Sequence, residues 1–544
     1  MRPPFAGFMS FFRPFLCVLL LTAVGVEAAP VGAATPIPLG REWDAALKPL
    51  ATLPVQDTGF VRSALTYAQT RLMAISDKNA FEHRPAMAVI LPMMADSEQA
   101  HSVALIKVEH PELGRIFGGK AISLNTFHKM DLYEKMGNLY REEESRLRRG
   151  EGTSGGGHNK YLKPINQIED RADTIDKLAE DFAIIPAKDS WLSPAQLLQK
   201  LREGGQAPDA VDMQILQAWD DLCNAIRTNN PEAGAKAAES LRLRVFDAVA
   251  ARQVALPKLR LDAFYQQLQP FKVSAFFYVF AALCYGGAML FRQMGPFWRR
   301  LQWVGFAFLA LGLASGVLGI GCRWILAGRA PLANMYESFT FATAGMVLVA
   351  LVFEAIQRNR LAGFSAAVLG FVFMIVAHKL PIFDSKINPL MPALDSIWLN
   401  YHVVTIMLSY SAFALSFVVA LAYLVKDSFG GDATRLAPLK RLPSLGSLDI
   451  FNYKVIAVGF PLLTIGIVLG AVWANTAWGR PWGFDPKETW SLITWLVYAA
   501  YLHVRFLAGW KGRRAAIIAL IGFACVLFTY VGVNFLLPGL HSYA

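Results

Sequence analysis

The chain has 544 residues, of which 54% are apolar and only 17% charged, with a mean hydropathy of +0.36 and a formal net charge of +11. This balance excludes an ordinary soluble protein of that length, which leaves room for two or three domains. The excess of Lys and Arg sits in clusters between apolar runs and forms no basic stripe, so it bears on membrane orientation and not on nucleic acid.

In chain order, Arg2 and Arg13 precede the apolar stretch 15–24, and Val26-Glu27-Ala28 offers a small-residue cleavage site. Residues 1–28 therefore read as an export signal, either cleaved or kept as an anchor helix. Residues 29–271 are mixed in character, contain no spanning run, and are expected to form an exported, mostly helical domain. Apolar positions in 64–75, 130–147 and 235–254 recur at helical spacing, whereas 87–94 reads as a strand. The stretch 142–160, EEESRLRRGEGTSGGGHNK, has the composition of a solvated linker. His158 within it, and His83, His101, His110 and His128, show no metal-ligand spacing. The five cysteines, Cys17, Cys223, Cys284, Cys322 and Cys525, form no C-x-x-C pair, which excludes a c-type cytochrome and a thioredoxin-like reductant.

From Val273 eight apolar runs follow, each near the ~20 residues that cross a bilayer: 273–291, 303–322, 336–356, 361–379, 401–425, 455–473, 489–508 and 515–537. The expected fold is mainly α, a polytopic membrane bundle of about eight transmembrane helices over residues 272–544. Loops after the odd-numbered runs hold thirteen Lys and Arg, and the other loops six. The positive-inside rule puts the first set in the cytoplasm. That agrees with an exported amino-terminal region and puts the 473–490 loop and the carboxyl terminus on the outer face.

Residues 473–495, WANTAWGRPWGFDPKETWSLITW, hold five of the thirteen tryptophans, interrupted by Gly, Pro and charge. An aromatic belt would scatter single tryptophans at helix ends, so this density points to a platform for a flat apolar ligand at the membrane boundary. Topology then sorts the histidines. His402 and His541 fall on the outer face with the Trp-rich loop, and two imidazoles beside an indole platform are the parts a bis-His haem needs; interfacial histidines are the alternative. His503 falls about 20 Å from that face, in the inner half, either as a functional group within a span or snorkelling with Arg505. His378, next to Lys379, reads as interfacial.

Together these residues resemble the CcsA/ResC family of cytochrome c biogenesis proteins, in the haem-handling superfamily marked by a WWD motif, WGxxWxWDPKE. Here the motif reads WGRPWGFDPKE over 478–488; Phe484 stands in place of the last Trp, keeping a flat ring but losing the indole donor. PLANMYESF at 331–339, WLNYHVVTIMLSYSAF at 398–413, YLHVR at 501–505, GWKGRRAA at 509–516 and GLHSY at 539–543 extend the likeness across 270–544. More loosely, LPVQDTGFVRSALTYAQTRL at 53–72 resembles the exported segment of some fused homologues.

The resemblance implies the haem-handling subunit of a holocytochrome c synthase in the bacterial inner membrane, with the amino-terminal domain and carboxyl terminus periplasmic. His402 and His541 would be the axial ligands of an outer haem b above the WWD loop, with Trp473, Trp478, Trp482, Phe484, Asp485 and Trp490 around it. His503 would ligate a haem in the inner half. The other inner ligand would come from a CcsB/ResB-like membrane subunit, because the sequence offers no further histidine there. Apocytochrome c would supply the C-x-x-C-H segment that accepts the haem. Arg329, Arg480 and Lys487 are candidate partners for the propionates, with no choice among them. Rival readings are a haem lyase or haem-delivery component of another WWD system, a transporter of a non-haem amphiphile, and an assembly factor without cofactor.

Overall fold

The computed structural model describes residues 38–57, 60–129, 159–187, 190–203, 208–254, 256, 258–291, 295–357, 360–380, 383, 385–387, 390, 394–434, 436–537 and 539. The export signal with Cys17, the expected helix 130–147, the linker as far as His158, and His541 lie outside the described residues. The chain divides into two compact units, Met1–Arg41 with Ala74–Lys177, and Glu42–Met73 with Leu178–Ala544.

The first unit combines short helices with two antiparallel ribbons, Ala80–Phe81 with Arg84–Pro85 and Ile106–Lys107 with Ala121–Ile122. The stretch 87–94, expected as a strand, lies within the helix Ala86–Ala95. All but one of the ten residues of that helix are buried, so an apolar face on every side leaves no period to read. Ala, Met and Leu favour the helix intrinsically. The Arg171 guanidinium bridges Asp77 and Glu109 at 3.1 and 3.0 Å, and with the Asp77 and Lys107 contacts holds the Glu109 carboxyl down to about 2.

The second unit begins with a hairpin, β1 (Pro54–Asp57) and β2 (Phe60–Ser63), in the register Pro54↔Ser63. The expected helix 64–75 is Ala64–Ser76, and the expected 235–254 is Pro231–Ala251. Buried Asp262, on the helix Leu259–Leu268, accepts from Ser63 N–H at 3.0 Å, Ser63 Oγ at 2.7 Å and Thr66 Oγ1 at 2.6 Å. Buried polar groups demand such partners, and these three tie the hairpin to the chain entering the bundle. Cys223 is a buried free thiol whose surroundings push it up to about 12.

Eight helices then follow: α1 (Pro270–Phe291), α2 (Pro296–Ala327), α3 (Met335–Gln357), α4 (Arg360–Lys379), α5 (Ile397–Ser428), α6 (Leu445–Trp478), α7 (Pro486–Phe506) and α8 (Arg513–Leu527). α8 continues through a π-turn, Phe528–Gly532, to Leu536. Among the described residues seven helical spans are long and apolar enough to cross a membrane, so the chain is a multi-pass membrane protein. α7 falls outside that set because Lys487, Glu488 and Arg505 charge its ends and hydroxyl residues dilute its middle. It nevertheless runs the depth of the bundle. Lys487 Nζ reaches Asn534 beyond the end of α8, and Arg505 pairs with Asp449 near the start of α6.

Two seven-residue registers organise the packing. Across α1 and α2, Phe271, Tyr278 and Tyr285 face Gly319, Gly312 and Gly305, and α4 presents Gly370 and Gly363 to the same two tyrosines. Each tyrosine is thus a wedge between glycines of two helices. Small residues let helices approach where lipid supplies no hydrophobic drive. Across α5 and α6, His402 faces the Gly466 carbonyl at 2.7 Å, Ser409 Oγ donates to Gly459 O at 2.9 Å, and Ser416 Oγ to Asn452 Oδ1 at 2.6 Å. His402 is the last rung of an antiparallel seam, and that seam sets its depth.

Candidate functional site

At the end of the bundle where α6 stops, the chain turns sharply. Gly479 takes a left-handed conformation (φ +71°) and donates its N–H to Asn475 O at 3.0 Å, a glycine C-cap. Phe484 also has positive φ, +54°, unusual for a bulky residue, and its ring is 73% exposed. α7 then starts in a capping box. Asp485 Oδ1 accepts from Lys487 N–H at 2.8 Å, and Glu488 Oε2 from the N–H groups of Asp485 and Gly483 at 3.1 and 2.7 Å. The two acids of DPKE thus hold the loop in shape. Gly539 lies against Asp485 and Pro486, which brings the chain back to this loop two residues before His541.

His402 stands in the first turns of α5. Its Nδ1 lies 2.7 Å from Gly466 O, a carbonyl that can only accept, which assigns a proton to Nδ1. The ring lies parallel to Trp473, at 11° and 6.4 Å between centroids. Beneath it a Cβ on Gly470 would come within 2.7 Å of Cε1, so the seat exists because residue 470 has no side chain. Trp473, 2% exposed, packs edge-on against Trp478 at 4.8 Å.

His402 and Trp473 line a cavity of about 200 Å³. Its walls include Met335 and Ser338 of α3, Ile406 and Tyr410 of α5, Gly470 of α6, Trp482 of the loop, Lys487 of α7, and Tyr530 and Asn534 at the end of α8. The π-turn at 528–532 is the kind of local insertion that re-aims side chains at sites. Tyr530 O–H there meets Ser338 Oγ at 2.8 Å and Met335 O at 3.0 Å. The start of α3 is held by Glu337, which pairs with Arg323 at 2.8 Å and Arg329 at 2.9 Å and caps Ala333 N–H at 3.0 Å.

The expected site residues therefore separate. His402, Trp473 and Trp482 line the cavity; Trp478 backs Trp473; Asp485 caps α7; Phe484 points outward and meets Trp482 edge-on at 6.1 Å. Trp490 packs on Phe528 at 4.2 Å. His503 is exposed near the far end of α7. From Asp449, which pairs with Arg505, to Gly466, which holds His402, α6 rises through about 25 Å, so the two histidines lie at opposite ends. His378 bonds Met374 O at 2.7 Å and does not line this cavity. Met335, Tyr410, Tyr530 and Asn534 also line the cavity and were not among the residues expected from the sequence. Asn534 is the one carboxamide in the run 515–537, and that was the available signal. The arrangement can hold a flat apolar ligand against indole and aliphatic walls, with the His402 imidazole on the same wall.

Residues 332–541 match the family profile described as Cytochrome C assembly protein. The chain is 39% identical over 304 residues to the cytochrome c biogenesis protein CcsA of Synechococcus elongatus, covering 48% of this chain and 92% of that protein. It is 42% identical over 262 residues to CcsA of Porphyra purpurea, 42% of this chain and 82% of the relative. It is 41% identical over 261 residues to CcsA of Guillardia theta, 45% and 87% respectively.

Proposed function

Since this chain belongs to the CcsA family of cytochrome c biogenesis proteins, we propose that it binds haem b at the cavity end of the bundle and presents it to apocytochrome c for thioether attachment. The observation that carries this reading is the seating of His402, with Nδ1 committed to Gly466 O and the ring parallel to Trp473 on the wall of an apolar cavity. A carbonyl on Nδ1 orients a ligating imidazole and raises its basicity. The residues present fit the group: an imidazole for the iron, indoles and aliphatic side chains for the ring. On this reading His541 would be the second residue to hold the iron.

The chain's contribution is positioning and control of the iron's ligands. Each cysteine thiol of the C-x-x-C-H segment adds across one vinyl group, sulfur to one carbon and hydrogen to the other. The apocytochrome histidine displaces a protein ligand. In this scheme the cavity end faces the periplasm of a bacterial inner membrane, with residues 29–271 on the same side behind an amino-terminal export signal. His503 receives haem in the inner half, and a CcsB/ResB-like subunit completes that site. In support, His503 stands on an uncovered stripe of α7 with Leu492, Leu496, Ala500 and Leu507, spaced three and four residues apart.

The test is the absorbance of the purified full-length chain. A Soret band is expected that weakens or shifts in His402→Ala and recovers on adding imidazole, with reporter cytochrome maturation falling and recovering in parallel. Wild-type spectra and maturation in His402→Ala would remove the ligand assignment. Absence of haem from the wild type would favour the non-haem amphiphile transporter.

A further inference from the structure

We propose that Lys487, held by the carboxamide of Asn534, is the subsite for a carboxylate of the ligand that binds beside His402. This deepens the haem reading and rests on it, assigning a ring propionate to the first turn of α7. Three cations of this end were open from the sequence, and the structure separates them. Arg329 is committed to Glu337 at 2.9 Å and to the Ala330 carbonyl at 3.1 Å. Arg480 is exposed, with its guanidinium folded against Gly483. Lys487 alone of the three lines the cavity.

Its surroundings fit an anion subsite. Nζ donates to Asn534 Oδ1 at 2.9 Å, a neutral acceptor that aims the ammonium without cancelling its charge. Asn534 is itself fixed, its Nδ2 donating to Tyr530 O at 3.0 Å. No carboxylate among the described residues forms an ion pair with Lys487, and the adjacent acids are engaged with loop N–H groups. An ammonium carries three donors, and Asn534 takes one. A cation beside an apolar cavity is costly without a counter-ion, and a ligand carboxylate supplies one through charge-assisted hydrogen bonds. The imidazole is on α5 and the ammonium on α7, and both line the one cavity, so two contacts from different helices would restrict how a flat ligand lies in it.

The experiment titrates the full-length chain in detergent with haemin and with haemin dimethyl ester, following the Soret band. The ratio of the two affinities within each protein, compared between proteins, cancels partition of the ligands into micelles. Wild type is expected to favour the dicarboxylate about tenfold more than Lys487→Met does, with Lys487→Arg retaining most of the preference and Asn534→Leu part of it. His402-type ligation spectra should persist in all of these variants, which shows that the site remains folded. An unchanged ratio in Lys487→Met with the His402 spectrum intact overturns the subsite and leaves the haem reading standing. Failure of wild type to bind either compound overturns both.

Discussion

At the cavity end of the bundle His402 lies inside, its Nδ1 on Gly466 O and its ring beside Trp473, while at the far end His503 lies outside on an exposed stripe of α7. The polar groups differ in the same sense. Near the cavity Lys487, Asn534, Tyr530 and Ser338 are arranged around a space. At the far end Arg505 grips Asp449 at both carboxylate oxygens, 3.0 and 2.8 Å, Asp449 also takes Gly512 N–H at 2.9 Å, and Lys426 is buried on the Leu442 and Pro443 carbonyls. One end is built around an opening; the other is tied by the Arg505–Asp449 ion pair, and its histidine is exposed. On the proposed reading this is the difference between a ligand seated and oriented by its own chain and one left on the surface for another molecule.

The largest expected effect tests this contrast directly. When haemin is added to the purified chain, His402→Ala should lose most of the wild-type absorbance change, and His503→Ala should keep it. If the proposed CcsB/ResB-like subunit is co-expressed, both should lose reporter cytochrome maturation. Loss of in vitro binding in His503→Ala would end the division of labour between the two ends.

The ion pair of the far end comes next. Arg505→Ala leaves Asp449 buried without its partner, which typically costs about 3–5 kcal/mol, and should lower the thermal midpoint of the detergent-solubilised protein. Retention of wild-type stability would show that the far end is not tied by this pair. Gly312→Ala places a methyl group against the Tyr278 ring, which Gly370 confines from the other side. Overpacking of this kind costs about 1–3 kcal/mol, and haemin titration of the folded fraction should remain unchanged. The smallest effect is expected for Ser409→Ala, one rung from His402 on the α5–α6 seam: about 0.6 kcal/mol, the usual worth of an interhelical hydrogen bond in a membrane protein, read as a slight fall in thermal midpoint.

Much of this was legible in the chain. Eight apolar runs became eight helices because lipid and protein interior alike demand satisfied backbones in apolar segments. The stretch 473–495 was legible as an interruption, but a shorter one than expected: Gly479, Pro481 and Gly483 break the chain between α6 and α7, whereas Trp473, Trp478, Trp490 and Trp495 lie within those helices. His402 was legible as a candidate by its place at the same end. The helix at 86–95 was not, because a short run apolar on all sides carries no period. Nor was the π-turn that brings Tyr530 and Asn534 to the cavity.

The sequence by itself therefore determined where the chain is apolar, how often it turns, and which loop concentrates the chemistry. Tertiary structure alone decided which faces meet. In spans whose lipid side is as apolar as their core side, hydrophobicity holds no directional signal. The information lies in steric fit: glycines at 305, 312 and 319 against an aromatic at every seventh position of α1, and Gly466 and Gly470 giving His402 its seat. That fit exists only between helices, so it becomes visible only once they are packed.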